Sequence, residues 1–159
     1  MTGFFSQTYE TPAEGLVYGP EEIKAILPHR EPMLLVEKMW LDEEEGIGHS
    51  EYTVKPDDFF VRGYAPDGRT VPFNILCEIM AQGCAIVVKD QLMQGLRPLF
   101  AGIEHIEFIS PVHAGDKCEC EGRLVGERAG ICFAEVSLSV EGRLCCAGQI
   151  QLALVPAVN

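Results

Sequence analysis

From Val71 to about Gln94 apolar side chains occupy nearly every face of a helical wheel: Phe73, Ile75, Leu76, Ile79, Met80, Ala81, Ala85, Ile86, Val87, Val88 and Leu92. A helix that is apolar almost all round is a buried one, so this segment predicts a long central helix enclosed by the rest of the chain. The flanking pattern is strand-like. Stretches 32–41 and 47–54 surround the acidic turn Asp42-Glu43-Glu44-Glu45-Gly46 and predict a hairpin. Beyond Gly95, apolar-rich stretches at 99–109, 117–125, 130–140 and 142–155 are punctuated by Pro111, Gly115, Gly126 and Gly142, and predict further antiparallel strands. Pro20, Glu21 and Glu22 ahead of Ile23, Ala25, Ile26 and Leu27 predict a short helix, with proline and acids in its first turn and a stop at Pro28. Residues 1–20 have no period and read as an irregular arm, leaving one domain over 21–159. The sum is an α+β layer fold in which a sheet wraps one helix. The connection from Lys55 to Thr70, rich in Asp, Gly and Arg and holding Phe59-Phe60, is of the length that usually carries function.

Composition narrows the function classes. With 159 residues, 47% apolar and 23% charged, one globular domain is the prior, and collagen-like, coiled-coil and disordered classes drop out. Twelve Lys+Arg against 24 Asp+Glu give a net charge of −12, which opposes nucleic acid and anionic lipid as partners. No apolar run reaches the ~20 residues needed to span a bilayer. The first residues lack the basic start and apolar core of a secretory signal, so the reading is cytoplasmic. The seven cysteines match no zinc spacing and read as free, buried small hydrophobes. Neither a glycine-rich nucleotide loop nor a GxSxG nucleophile elbow occurs, so no cofactor and no metal are expected.

Candidate chemistry sits on the apolar helix. Asn74, Glu78 and Gln82 recur every fourth residue and stack along one face as a polar stripe. A carboxylate among apolar neighbours, with no cation one turn away, either rises in pKa or draws donors from elsewhere. Both outcomes suit a general acid or base, and a structural carboxylate tied by Gln82 or by another subunit fits the same stripe.

Several motifs resemble one family. Ile26-Leu27-Pro28-His29-Arg30, followed by Pro32-Met33-Leu34-Leu35-Val36-Glu37, is similar to the LPHRxPxLLVD opening of FabZ-type 3-hydroxyacyl-[acyl-carrier-protein] dehydratases. Phe59-Phe60 with Val71-Pro72, Ile75-Leu76, Glu78 and Met80-Ala81-Gln82 resembles that family's FFPGHFPxxPVxPGVLxxEAMAQ segment. Gly102-Ile103, Phe108, Pro111-Val112 and Gly115-Asp116 resemble its GI…F…PVxPGD stretch. The resemblance spans roughly residues 22–153 and implies a hotdog fold, a long helix wrapped by a curved antiparallel sheet. It further implies dimers joined sheet edge to sheet edge, with acyl tunnels at the interface and one catalytic group from each chain.

In that family a loop histidine removes the α-proton of the hydroxyacyl thioester and the helix carboxylate protonates the departing hydroxyl. The carboxylate corresponds to Glu78; where the histidine is expected this chain has Gly63 and Tyr64. Tyr64 is a poor base, because a phenol with a pKa of about 10 stays protonated at neutral pH. Phe73 stands where the family has glycine, at the helix start whose N–H polarises the thioester carbonyl. The resemblance therefore makes Glu78 and Tyr64 the candidate catalytic residues. Gly63, Phe73, Asn74, Gln82, His29, Phe100 and Gly102 are the candidate substrate-binding ones. The implied substrate is an acyl thioester on acyl carrier protein or coenzyme A, in fatty acid or polyene biosynthesis. Three readings stay open: a homodimeric dehydratase; a subunit that gives Glu78 to a heterodimer with a histidine-bearing paralogue, as in the dehydratase-like subunits of aryl-polyene clusters; and a thioesterase or non-catalytic acyl-binding hotdog subunit.

Overall fold

The computed structural model describes residues 17–158. Residues 1–16 of the expected arm lie outside the described residues; of the remainder, Tyr18 bridges Met39. Helix α1 runs Pro20–Ile26, with Pro20 in its first turn and Leu27 N–H bonded back to Ile23. Strands β1 (Lys38–Asp42) and β2 (Ile47–Thr53) form the expected hairpin, whose tip is held by Asp42 Oδ1 accepting from the N–H groups of Glu44 and Glu45. Helix α2 (Phe73–Cys84) continues through a 3₁₀ turn (Ala85–Val88) into α3 (Lys89–Met93), together a central helix of 21 residues. Strands β3 (Leu96–Phe108), β4 (Lys117–Arg128), β5 (Ile131–Val140) and β6 (Arg143–Pro156) follow. All pairings are antiparallel, and the sheet order is β1-β2-β4-β5-β6-β3, which closes one side on β3.

The strand expected over 32–41 begins only at Lys38. Met33 and Leu34 N–H groups bond to Arg30 O in a turn, and Leu35 N–H is taken by the Gln82 side chain instead of a neighbouring strand. The connection is therefore tied to the helix, and this matters for the site.

The central helix lies against the sheet, with Leu76, Ile79, Met80 and Ile86 in one core cluster with Leu138, Ile150 and Leu152, all essentially inaccessible. Close approach depends on glycine. A Cβ on Gly83 would stand 1.9 Å from Ser50 Oγ, and one on Gly122 would stand 2.6 Å from Cys84 Sγ. The seven cysteines are free and buried, as their scatter implied. Burial pushes the Cys84 and Cys146 thiols up to about 12, so they behave as apolar filler. Among the described residues no helix is long and apolar enough to cross a membrane. Strand β3 leaves Leu99, Phe100, Ile103 and Phe108 exposed along the sheet margin.

Candidate active site

The polar stripe of α2 meets the segment that follows α1. Gln82 is 2% exposed, and its amide is fully engaged. Oε1 accepts from Leu35 N–H at 2.8 Å, while Nε2 donates to Met33 O and to Glu78 Oε1, each at 2.8 Å. Both Nε2 protons are thereby used, leaving none for a substrate. His29, on the turn after α1, brings Nε2 to 3.4 Å from the same Oε1. Its Nδ1 is buried without a hydrogen-bond partner, so the ring proton is placed at least cost on Nε2, facing the carboxylate. Two N–H groups thus converge on one oxygen of Glu78, and Oε2 accepts no hydrogen bond among the described residues.

The electrostatics follow from this geometry. His29 draws the Glu78 carboxyl below the ordinary carboxylate range, burial pushes the other way, and Gln82 adds to the lowering. Of the two outcomes open to an acid on an apolar helix, the chain takes the second: donors arrive from another element. Glu78 rests ionised, half-buried, with one oxygen pinned and the other available.

The remaining candidates are distributed around this cluster. Asn74 is exposed one turn before Glu78. Phe73 is 49% exposed and stacks on Phe108 from the end of β3, with ring centroids 4.4 Å apart. Phe108 lies within a motif of the sequence, yet nothing local marks it as the partner of Phe73. Phe100 and Gly102 flank an irregularity in the β3–β6 ladder, away from the Glu78 contacts. Gly63, at φ 77°, and Tyr64, 46% exposed, stand on the 55–70 connection. No hydrogen bond joins Tyr64 to Glu78 among the described residues. That connection is anchored at both ends. Asp58 accepts from Tyr52 Oη and Lys55 N–H, while Asp67 accepts from Arg69 N–H, Thr70 N–H and Thr70 Oγ and is held down to about 2 chiefly by those bonds. His105 pairs with exposed Glu107, remote from the cluster.

Comparison with known proteins places this arrangement. Residues 21–103 match the family model described as ApeP-like, ApeP dehydratase. The chain is 33% identical over 135 residues to a 3-hydroxyacyl-[acyl-carrier-protein] dehydratase FabZ of Clostridium perfringens, covering 84% of this chain and 96% of that one. It is 33% identical over 142 residues to the FabZ of Exiguobacterium sibiricum, covering 87% and 99%. Among solved structures it is similar to the dehydratase heterocomplex ApeI:P from Xenorhabdus doucetiae, with a TM-score of 0.68 at 19% identity, covering 85% of this chain and 91% of that one. A putative thioesterase from Ralstonia eutropha is similar in fold, with a TM-score of 0.57 at 23% identity over 71% of this chain and 80% of that one. A sheet-wrapped helix, a glutamate clamped at its polar stripe and these matches converge: the chain belongs to the FabZ-like, ApeP-type family of hotdog dehydratases and is a dehydratase or dehydratase-like subunit.

Proposed function

We propose that this chain supplies the carboxylate half of a site that removes water from a 3-hydroxyacyl thioester on a phosphopantetheine arm, the second proton-transfer group coming from a partner chain that covers β3. One observation carries this reading. Glu78 is oriented by two donors on Oε1 with Oε2 left available, in a chain whose 55–70 connection offers exposed Tyr64 and no histidine. An acid–base group typically contributes ~10²–10⁴-fold, so a site with one such group is incomplete. That the similar ApeI:P structure is a dehydratase heterocomplex supports a partner of a different sequence. The names of the FabZ relatives support acyl carrier protein as the bearer of the thioester.

The chemistry runs as an elimination. A base on the partner takes the α-proton, its electrons form the Cα=Cβ bond, and the Cβ–O bond breaks. Glu78 Oε2 delivers a proton to the departing oxygen, which leaves as water, and the two groups return to their starting states by exchanging a proton with solvent. Because Glu78 rests ionised in the uncovered chain, the donor role requires its carboxyl to rise. Burial already acts in that direction, and a partner and an acyl chain covering Oε2 strengthen it. The first N–H groups of α2, on Phe73 and Asn74, have no acceptor within the helix and stand at its positive end, suited to the thioester carbonyl. Gln82 serves by orienting Glu78 rather than by touching substrate.

The test is to incubate the chain, alone and with a histidine-bearing dehydratase-like partner, with 3-hydroxyacyl thioesters, following enoyl absorbance and free thiol separately. Enoyl product that needs both chains is the expected result. Full dehydration by the chain alone overturns the shared site. Free thiol without enoyl moves the chain to the thioesterases.

A further inference from the structure

Helix α2 opens on two exposed residues, Phe73 and Asn74, whose side chains have no preceding turn to confine them. The Pro72 carbonyl is taken by the N–H groups of Ile75 and Leu76, so those of Phe73 and Asn74 find no acceptor within the helix. Side chains on a helix lean toward its N-terminus. A ring at the first position therefore has the open end of the helix, where those two N–H groups emerge, within its reach.

The Phe73 ring is directed elsewhere. It stacks on Phe108, with centroids 4.4 Å and planes 26° apart. Phe108 stands opposite Cys146 on the helix-facing side of the sheet, and Cys146 Sγ lies 3.7 Å from Met80 Sδ of α2. The backbone around it is pinned. Ile109 and Ser110 N–H groups both donate to Cys145 O, and Arg143 donates to Ser110 Oγ and to Pro111 O. Val71 N–H, at the entry to α2, donates to Val112 O at 2.8 Å, which ties the helix start to the segment after Phe108. With both backbones fixed, the stack settles which way the Phe73 ring points. Both rings are exposed in this chain and neither belongs to the buried cluster, so the pair does not hold the core together. Elsewhere among the described residues, Trp40 on His49 is buried, and Phe59 meets its chain neighbour Phe60 edge-on.

We propose that Phe108 is a positioning residue: by stacking, it parks the Phe73 ring at the end of β3 and keeps the Phe73 and Asn74 N–H groups open to the thioester carbonyl. The proposal rests on the reading of this chain as a dehydratase subunit whose carbonyl site is the start of α2. A glycine at position 73 would put no ring in that space; phenylalanine does, and needs a neighbour to hold it aside. Aromatic pairs are favoured roughly two- to tenfold beyond their shared area, so losing the stack should release the ring for a large part of the time.

The experiment is a double-mutant cycle on the full chain in its assembled state, with Phe108→Leu, Phe73→Ala and the two together. Turnover of a 3-hydroxyacyl pantetheine thioester is followed by enoyl absorbance. Phe108→Leu keeps an apolar side chain without a flat face and should lower kcat/KM about fivefold. In the Phe73→Ala background, where no ring is left to swing, the same change should cost less than about twofold. Phe108→Tyr, which restores the face, should recover most of the loss. A second readout needs no chemistry. The backbone amide resonances of positions 73 and 74 are followed by NMR on adding an analogue with nitrogen in place of the thioester sulfur. Both should move in the parent, respond weakly in Phe108→Leu and respond again in the double variant. Equal losses from Phe108→Leu in the two backgrounds overturn the proposal, as does no loss at all, or parent amides that ignore the analogue. Failure of the dehydratase reading is distinguishable: the amides follow this pattern while no partner brings about enoyl formation.

Discussion

Two half-buried glutamates of this chain have opposite fates. Glu78 stands on the central helix with Gln82 and His29 converging on Oε1, and its carboxyl is pulled down. Glu121 stands on β4, opposite His49 on β2 and Ser137 on β5, with Oε2 buried and without a hydrogen-bond partner. Burial, reinforced by Glu119, pushes it up to about 7. Similar residues in similarly enclosed places thus differ in charge at neutral pH because one was given donors. Enclosure alone makes a weak acid; enclosure with two N–H groups on one oxygen makes an oriented anion.

The largest effect that tests this contrast is chemical. Glu78→Gln keeps the size and the hydrogen-bonding capacity of the side chain but removes the transferable proton. It should lower the rate of enoyl formation by ~10²–10⁴-fold in the assembled enzyme, and retention of turnover would refute the assignment. Next comes Gln82→Leu, which makes the surroundings of Glu78 resemble those of Glu121. It leaves Leu35 N–H and Met33 C=O unpaired and should cost about 1–3 kcal/mol in denaturant unfolding, with the Glu78 carboxyl moving upward. A variant as stable as the parent would mean that the amide clamp is dispensable.

Glu121→Gln probes the other member of the pair, and here the sign matters. A carboxyl raised above its ordinary value of 4.5 contributes stability at low pH that is lost as pH rises through about 7. The variant should therefore melt on the order of 2–4 °C above the parent at pH 8 and coincide with it below pH 4.5, as read by calorimetry across pH. Glu78 has the reverse sign: its contribution is present above the ordinary carboxylate range and fades as pH falls through its lowered value. Tyr64→Phe is the smallest change. The phenol is 46% exposed, so removing its hydroxyl should alter turnover less than about twofold, and a loss as large as that of Glu78→Gln would make it a catalytic group after all.

Much of this was legible in the residues. The all-round apolar helix and the punctuated strands emerged because periodicity is a local signal, and Glu78 stood out as a charge on an otherwise apolar helix. What escaped was long-range. The 32–37 segment has the composition of a strand, but Leu35 meets an amide 47 residues away, and no window of neighbouring residues encodes that partner. The same holds for His29 reaching Glu78 and for Phe108 stacking on Phe73. Glu121 escaped for a different reason: between Glu119 and Arg123 on an alternating strand it has the pattern of a solvated face, and only the assembled sheet encloses it.

Strand β3 carries 13 residues along one margin of the sheet, with leucine, isoleucine and phenylalanine side chains left bare beside a backbone edge that pairs with no further strand among the described residues. If the partner of the proposed shared site covers this margin, the ratio in which the two chains are supplied matters. On the proposed reading, copies left without the partner chain keep an open edge through which they can pair with one another, the hazard that unpaired edge strands carry.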